Sequence, residues 1–306
     1  MTILLTGGAG MLGKAISASL VSKGISHLSP LRSELELRDF AAISNYLKTH
    51  QISKIIHCAA KVGGIKFNKE NPGEFLLQNL QIDSCVLKAA QEHGVIELIY
   101  MSSSCSYPID APQPYIESSL KYGNFEPTNR SYAIAKMTAL EAISALNSQF
   151  NLSFRALILS NLYGPNDNFL SENSHLISAA LRKCENARIN NEESVEIWGS
   201  GKPRREFTYV LDVAEWITNQ INNIASLPER INIGFGRDYS VSEYYELAAK
   251  TVGYKGKFTY NEDLPDGIFS KLMSSEIANR DFSWDPKTSI EEGMLQTYRW
   301  WLEGLK

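Results

Sequence analysis

The chain has 306 residues, of which 43% are apolar and 21% are charged, and its formal net charge is −4. This length allows one large hydrophobic core, or a core with a smaller second lobe. The acidic balance argues against a nucleic-acid partner, because non-specific nucleic-acid binding needs a basic face. No apolar stretch reaches the roughly 18–20 residues that cross a bilayer, and the N-terminus lacks the features of a signal peptide. We therefore expect a cytoplasmic protein with no membrane partner.

The four cysteines are far apart and form no C-x-x-C pair; they are Cys58, Cys85, Cys105 and Cys184. This spacing favours neither a zinc site nor a disulfide framework, so no metal is predicted. Reduced thiols are typical of a cytoplasmic protein.

Strands and helices alternate through the first half of the chain. Strands are predicted at 2–6, 26–29, 55–60, 96–103 and 152–159. Helices are predicted at 11–23, 39–50, 72–93 and 129–149. This alternation predicts an α/β fold with a doubly wound parallel sheet of the Rossmann type and right-handed crossovers.

After residue 160 the pattern becomes irregular, with longer loops and shorter elements. We therefore predict a second, smaller and discontinuous C-terminal lobe. The segment 206–225 is expected to return to the first lobe. The predicted boundaries are 1–160 plus about 206–228 for the first lobe, and about 161–205 plus 229–306 for the second.

The segment TGGAGMLG (6–13) connects the first predicted strand to the first predicted helix. Its glycines match the pattern G-x-G-x-x-G, which is typical of dinucleotide-binding turns. Glycine lets the backbone approach a pyrophosphate, whose charge then sits at the helix N-terminus. The candidate cofactor-binding residues here are Gly7, Gly8, Gly10, Met11, Leu12 and Gly13.

The end of the second strand distinguishes NAD from NADP. A carboxylate at this point would bind the ribose hydroxyl of NAD. The stretch SPLRSELEL (29–37) has no acidic residue before Glu34, and it carries Arg32. The pattern favours NADP with Arg32 on the 2′-phosphate, although it also fits an arginine that is only solvated.

Tyr132 and Lys136 in YAIAK are four residues apart, so on a helix both face the same way. A phenol with a pKa near 10 is a poor acid–base catalyst at neutral pH. A nearby ammonium, beside a positively charged nicotinamide ring, would lower that pKa. SSSCSYP (102–108) ends the fourth strand, where Ser103 can bond the carbonyl that Tyr132 protonates. With the glycine turn, this set predicts a short-chain dehydrogenase/reductase.

Almost the whole chain resembles the GDP-L-fucose synthase family of extended short-chain dehydrogenases. The resemblance rests on the segments AAKVGGI (59–65), SSSCSYP, EPTNRSYAIAK (126–136), NLYGPNDNF (161–169), SHLISAALRK (174–183), IWGSGKPRREF (197–207) and PDGIFSK (265–271). AAKVGGI and the cysteine two residues after Ser103 are more specific than the glycine turn.

The resemblance implies an NADPH-dependent epimerase–reductase that converts GDP-4-keto-6-deoxy-D-mannose to GDP-L-fucose. The ketone at carbon 4 of the sugar acidifies the protons on carbons 3 and 5. Cys105 would remove each proton and His175 would return one to the opposite face. Hydride from NADPH would then reach carbon 4 while Tyr132 donates the proton. Ser103 and Lys136 would support the oxyanion.

The resemblance also implies the ligand contacts of the second lobe, which would bind the nucleotide sugar. Lys183, Arg205 and Lys271 match family positions that contact the nucleotide diphosphate, where cations are expected. Asn161 is a candidate sugar contact, and Trp198 either stacks on the ligand or packs within the protein. The family is usually dimeric through helices that flank the active-site tyrosine, so a homodimer is expected.

Several roles have structural alternatives. Cys105 fits a small packing residue, His175 a loop or cap residue, and Lys183 a solvated helix charge. The chain departs from the family at Ser106 and at Arg130-Ser131, in loops expected to face the sugar. The alternative function is therefore a related GDP-sugar 4-keto reductase or epimerase that makes GDP-colitose or a GDP-6-deoxy-heptose.

Overall fold

The computed structural model describes residues 2–63, 70–169, 174–264 and 266–304. Its strands are β1 Thr2–Thr6, β2 His27–Leu28, β3 Ile52–His57, β4 Glu97–Ser103, β5 Ser153–Leu159, β6 Asn161–Tyr163, β7 Ser194–Trp198, β8 Arg204–Tyr209, β9 Arg230–Ile233, β10 Asp238–Ser240 and β11 Lys257–Asn261. Its helices are α1 Met11–Ser22, α2 Phe40–Thr49, α3 Pro72–Glu92, α4 Arg130–Phe150, α5 Leu176–Asn190, α6 Val210–Asn219, α7 Val241–Val252, α8 Glu276–Phe282 and α9 Ile290–Glu303. Within the described residues, no helix has the length and apolar character needed to cross a bilayer.

The largest sheet has six parallel strands in the order β2-β1-β3-β4-β5-β9. The winding direction reverses at β1, because β2 and β3 lie on opposite sides of it. In open α/β sheets, such a switch point forms a crevice outside the carboxyl ends of the strands. The doubly wound parallel sheet predicted from the alternation is confirmed.

Helices cover both faces of this sheet, so its strands are buried on both sides. On β1, Leu4 packs into one core with α2, α3 and α4, whereas Ile3 and Leu5 pack into the other with α1 and α6. All three side chains are fully buried. This double burial explains why the strands read as continuous apolar runs rather than as alternating ones.

β3 begins three residues earlier than the apolar run at 55–60 indicates, and it ends at His57. The difference arises from Lys54, a charged residue that is 8% exposed inside the strand. Its ammonium lies 2.6 Å from a carboxylate oxygen of Glu97 and donates to the carbonyl of Ile221 at 2.7 Å. Because both partners come from distant segments, local sequence does not reveal that a lysine can be buried here.

A second lobe contains the three-stranded sheet β10-β8-β6 and the two-stranded sheet β11-β7. Its core is rich in aromatic side chains and is covered by α5, α7 and α9. Tyr163, Phe207 and Tyr244 meet there at close to right angles, with ring centroids 5.2 to 6.3 Å apart. Edge-to-face packing of this kind suits aromatic rings.

The chain passes between the two lobes repeatedly. α6 packs on α1, where Ser19 Oγ and Thr218 Oγ1 are 2.7 Å apart, whereas β8 just before it belongs to the small sheet. β9 pairs with β5 as the sixth strand of the large sheet, although the sequence boundary places residues after 228 in the second lobe. The reason is burial, because Ile231 and Ile233 are fully enclosed in the core beneath α6.

Candidate active site

The glycine turn lies at the carboxyl end of β1 and requires glycine at two positions. Gly7 has φ +71°, and a Cβ there would lie 2.6 Å from the backbone nitrogen of Ala59. A Cβ on Gly13 would lie 2.2 Å from the carbonyl oxygen of Gly7. The turn and the first helical residues therefore pack backbone against backbone, which leaves room for a ligand to approach the main chain.

The N-terminus of α1 is suited to hold an anion. The helix begins at Met11, and its N-cap residue is Gly10. In the described part of the chain, no side chain caps this end and no acidic residue lies in the first turn. The backbone N–H groups of Met11 and Leu12 thus remain for a ligand, as a pyrophosphate site requires. The predicted residues Gly8 and Gly10 complete the same turn. These residues fit a dinucleotide.

Gly13→Ala is expected to lower NADPH affinity by at least about tenfold, because the new methyl group must displace the turn that approaches the pyrophosphate. Gly73→Ala is the matched control, since a Cβ at Gly73 meets no atom within 4 Å. Fluorescence titration of NADPH measures the affinity, and thermal unfolding checks that both variants fold. Unchanged affinity in folded Gly13→Ala would contradict the assigned site.

Arg32 follows β2 and its side chain is 70% exposed, with Nε 3.2 Å from an oxygen of Glu36. Arg38 binds the same carboxylate more closely, through bonds of 2.9 and 2.8 Å. Chiefly because of the Arg38 bond, the pKa of Glu36 is lowered to about 2. Two guanidinium groups share one carboxylate, so a net positive charge remains for a phosphate. Sequence analysis identified Arg32 and missed Arg38, which directly follows the stretch 29–37.

Lys136 is 1% exposed on α4 and is directed toward β4. Its Nζ donates to the hydroxyl of Tyr100 at 2.8 Å and to the carbonyl of Met101 at 3.1 Å. The same Nζ lies 5.8 Å from the centroid of the Tyr132 ring. Burial lowers the pKa of Lys136. These two hydrogen bonds to β4 therefore use most of the donor capacity of the ammonium.

Burial, with smaller effects from Cys105 and Asp83, raises the pKa of Tyr132 well above its usual value. The Y-x-x-x-K spacing predicts a lowered pKa for this phenol, and the groups of the chain alone do not produce it. The physical reason is that Lys136 is bonded to β4 instead of to the phenol. The expectation also invoked a positively charged nicotinamide ring, a charge that the chain itself does not supply.

Cys105 lies in a 3-10 turn at Ser104–Ser106, directly after β4. Ser103 begins this turn, and its Oγ accepts the N–H of Cys105 at 3.2 Å. The sulfur of Cys105 accepts from Lys271 Nζ at 3.2 Å and from Asn129 Nδ2 at 3.3 Å. An ammonium and an amide therefore both donate to this sulfur. The turn thus holds the thiol group between two polar donors.

Two of these partners change the sequence interpretation. Lys271, expected on the nucleotide diphosphate, is 8% exposed and donates to Cys105. Asn129 was missed, although it stands directly before the YAIAK helix, and its amide also donates to Glu126 at 3.1 Å. Glu206 fixes the segment after Lys271 by accepting the N–H of Met273 at 3.1 Å, and burial raises the pKa of Glu206 to about 7.

His175 is the N-cap residue of α5, and its Nδ1 is 3.1 Å from an oxygen of Asp167. The carboxylate of Asp167 is buried and also accepts bonds from the Asn168 N–H at 2.8 Å and from the Ser178 hydroxyl. The hydrogen bond that Asp167 accepts from His175 raises the pKa of His175. The charged imidazole that a proton donor needs is thereby favoured. Asp167 was missed, although it precedes His175 by eight residues in the family-like stretch NLYGPNDNF.

Asp167→Asn is expected to lower the pKa of His175 toward the ordinary histidine value, because the hydrogen bond to the carboxylate and its charge are lost. The raised pKa means that the pair stabilises the fold fully below the unfolded histidine pKa of about 6.5, and that this contribution is lost as the pH rises through the folded value. NMR titration of the His175 ring measures the shift. Glu246→Gln, which removes an exposed carboxylate from α7, is the control and should leave the titration unchanged.

The other predicted ligand residues lie in the second lobe. Lys183 Nζ donates to the carbonyl of Glu196 at 2.9 Å and lies 5.2 Å from the ring centroid of Trp198, which is 53% exposed. Burial lowers the pKa of Lys183. Arg205 donates to the carbonyls of Ile268 at 2.7 Å and Asp266 at 3.2 Å. Lys183 and Trp198 are thus brought together, and Arg205 is joined to the PDG segment.

Asn161 and Ser106 make hydrogen bonds within the protein, and parts of two predicted segments cannot be placed. The amide of Asn161 donates to the carbonyl of Glu206 at 3.1 Å, so this side chain ties β6 to β8. Ser106, expected to face the sugar, is fully buried with its Oγ 3.3 Å from that of Ser102. Its hydroxyl is therefore hydrogen-bonded within the core. Gly64 and Ile65 of AAKVGGI, and Pro265 of PDGIFSK, lie outside the described residues.

Comparison with known proteins places this site in a family. A family model described as the NAD dependent epimerase/dehydratase family matches residues 3–234. The chain belongs to this epimerase/dehydratase family.

Relatives in this epimerase/dehydratase family match over nearly the whole chain. GDP-L-colitose synthase of Yersinia pseudotuberculosis is 39% identical over 303 residues, covering 99% of this chain and 98% of the relative. GDP-L-fucose synthase of Escherichia coli K12 is 37% identical over 310 residues, covering 98% and 96%. The resemblance to GDP-L-fucose synthases is confirmed.

Solved structures agree on the fold. A GDP-6-OMe-4-keto-L-xylo-heptose reductase from Campylobacter jejuni superposes with a TM-score of 0.91 at 27% identity, covering 99% of this chain and 98% of that chain. A GDP-mannoheptose C4 reductase from the same organism, solved with NADP bound, superposes with a TM-score of 0.89 at 27% identity, covering 98% of each chain.

Proposed function

We propose that the chain is an NADPH-dependent epimerase–reductase that converts GDP-4-keto-6-deoxy-D-mannose to GDP-L-fucose. The observation that carries this proposal is the environment of Cys105, whose sulfur lies 3.2 Å from Lys271 Nζ beside the helix of Tyr132. Simple reduction of a ketone needs no such base, whereas inversion of the carbons next to the ketone requires removal of their protons. GDP-L-fucose synthase of Escherichia coli, at 37% identity, supports the same reaction.

In the epimerisation steps, the thiolate of Cys105 takes the proton from carbon 3 or carbon 5. The electron pair moves toward the oxygen on carbon 4, where Tyr132 and Ser103 stabilise the resulting enolate by hydrogen bonds. The imidazolium of His175, held by Asp167, returns a proton to the opposite face of the same carbon. One inversion therefore moves one proton from substrate to sulfur and one from imidazole to substrate.

In the reduction step, bound NADPH supplies the hydride that carbon 4 accepts. Tyr132 donates its hydroxyl proton to the oxygen on that carbon, which gives the alcohol. Lys136 stabilises the tyrosinate that remains and holds the cofactor ribose. The glycine turn, the N-terminus of α1 and Arg32 hold the phosphates of the cofactor.

We also propose that the second lobe binds the GDP portion. The exposed face of Trp198 can stack on the base, while Lys183 and Arg205 supply positive charge near it. Cytoplasmic location and a homodimer formed through α3 and α4 belong to the same proposal. Sedimentation at micromolar concentration tests the dimer, and a monomer there would contradict it.

The alternative is a related GDP-sugar 4-keto reductase or epimerase that makes GDP-colitose or a GDP-6-deoxy-heptose. This alternative is favoured by the 39% identity to GDP-L-colitose synthase and by the similarity to heptose reductases. The functions differ in how many carbons exchange protons. Because Cys105 and His175 are both present with their partners, we favour at least one epimerisation.

The test is incubation of the protein with NADPH and GDP-4-keto-6-deoxy-D-mannose in deuterium oxide, followed by NMR of the product sugar. Deuterium at carbons 3 and 5, together with NADPH oxidation, is the expected result. Reduction with label at one carbon, or at none, would move the function to the alternative. Absence of turnover with NADPH bound would exclude this substrate, and the heptose and colitose precursors would then be tested.

A further inference from the structure

A chain of buried polar groups runs from Lys136 into the centre of the first lobe. Lys136 Nζ donates to Tyr100 at 2.8 Å, and the Tyr100 hydroxyl donates to Asp83 Oδ2 at 2.7 Å. The other oxygen of Asp83 lies 3.1 Å from His57 Nε2, and His57 Nδ1 is 2.6 Å from the hydroxyl of Thr6. Lys136 Nζ is also 3.9 Å from Asp83.

The direction of each bond follows from the groups themselves. An ammonium only donates, so the Tyr100 hydroxyl accepts from Lys136 and gives its own proton to Asp83. A neutral His57 donates from Nε2 to Asp83, and its Nδ1 then accepts from Thr6. Each donor in this network therefore meets an acceptor. The network contains one positive charge, on Lys136, and one negative charge, on Asp83.

This arrangement lies where charges are costly. Lys136, Asp83, His57 and Tyr100 are at most 3% exposed. They come from α4, α3, β3 and β4, so the fold brings them together from four separate elements. A packed apolar cluster of the same volume would stabilise the core as well or better, because buried charges lose their hydration. The network therefore indicates that these polar groups are needed for Lys136 and not for the packing of the core.

Charged and titratable groups from several elements face Lys136. Asp83 approaches from α3, Tyr100 from β4, His57 from β3, Cys58 from just after β3, and Tyr132 from α4 itself. Burial lowers the pKa of Lys136, and Asp83 opposes this. Burial acts to raise the pKa of Asp83, but the combined effect of Lys136, His57 and Tyr100 leaves it lowered. Each member of the ion pair thus opposes the effect of burial on the other.

We propose that Asp83, Tyr100 and His57 are positioning residues for Lys136, with Asp83 supplying the charge that keeps it an ammonium and the other two fixing both groups in place. This inference rests on the proposed role of Lys136 at the cofactor and at Tyr132. It assigns three core residues, on segments outside the motifs of the site, to the function of the lysine.

The test measures NADPH affinity against pH for Asp83→Asn, in a Tyr132→Phe background that removes the titration of the phenol. Without the carboxylate, the pH above which affinity falls should decrease by about 1 to 3 units, because the ammonium loses its counter-charge. Asp83→Glu keeps the carboxylate and should return the midpoint pH most of the way to that of the parent. Glu92→Gln removes an exposed carboxylate from the same helix and should have no effect.

Tyr100→Phe keeps the ring in the core and provides a second readout if Asp83→Asn folds poorly, as thermal unfolding would show. It should shift the midpoint in the same direction by a smaller amount. Midpoints equal to that of the parent in both folded variants would overturn the proposal, as would an affinity in the parent that does not change with pH. Because the test uses no sugar, its result does not depend on whether the proposed sugar reaction takes place.

Discussion

Tyr132→Phe is expected to lower kcat for NADPH oxidation by about 10²–10⁴-fold, because the phenol hydroxyl is the proposed proton donor to the sugar oxygen. Burial raises the pKa of Tyr132, so the hydroxyl is protonated at neutral pH and ready to donate. NADPH affinity should change little, since the lost atom is directed at the substrate. Initial rates of NADPH oxidation at saturating keto-sugar measure the effect.

Tyr122→Phe is the matched control for this experiment. Its ring is 56% exposed, and the substitution removes the same atom at a position away from the proposed donor. A normal rate in Tyr122→Phe and a strongly reduced rate in Tyr132→Phe support the assigned role. A Tyr132→Phe variant that keeps the parent's kcat and pH profile would show that another group donates the proton.

Cys105→Ala is expected to slow proton exchange at carbons 3 and 5 by about 10²–10⁴-fold while NADPH still binds. The thiol is the only group of that residue that can accept a proton, and it lies 3.2 Å from Lys271 and 3.3 Å from Asn129. Lys271→Met should slow exchange in the same direction, because the thiolate loses its cation. Deuterium incorporation into the sugar, followed by NMR, measures exchange separately from NADPH oxidation.

Cys85→Ala provides the comparison, since that thiol is also partly buried but lies on α3, where it donates to the carbonyl of Arg38. Its exchange rate should equal that of the parent. Exchange that persists in Cys105→Ala would place the base elsewhere. If the parent itself reduces the sugar without any exchange, the alternative of a 4-keto reductase is correct and Cys105 has only a structural role.

The sequence predicted those parts of the site that depend on local spacing. The glycine turn and the Tyr132–Lys136 pair each lie within one segment, so strand, turn and helix patterns were sufficient to identify them. The position of Lys271 was not predictable in this way, because it meets Cys105 across 166 residues of chain. Family resemblance assigned that lysine to the diphosphate, whereas tertiary packing places it on the thiol.

The buried partners of the catalytic set were missed for the same reason. Asp83 looks like a polar helix residue and His57 lies inside the predicted strand 55–60. Only the pairing of β3 with β4 beneath α3 and α4 joins them to Lys136. Asp167 is different, because it precedes His175 by only eight residues. A carboxylate so close to a candidate proton donor is a signal that sequence analysis can use.

The late arrival of β9 in the large sheet has a consequence for biosynthesis. β5 ends at Leu159, but its outer neighbour β9 begins only at Arg230, and β6, α5, β7 and β8 of the second lobe are made between the two. During translation the nascent sheet therefore carries an open apolar edge until β9 has emerged from the ribosome. A nascent chain halted near residue 160 should consequently engage chaperones or aggregate, because the large sheet gains its last strand only after this part of the second lobe has been synthesised.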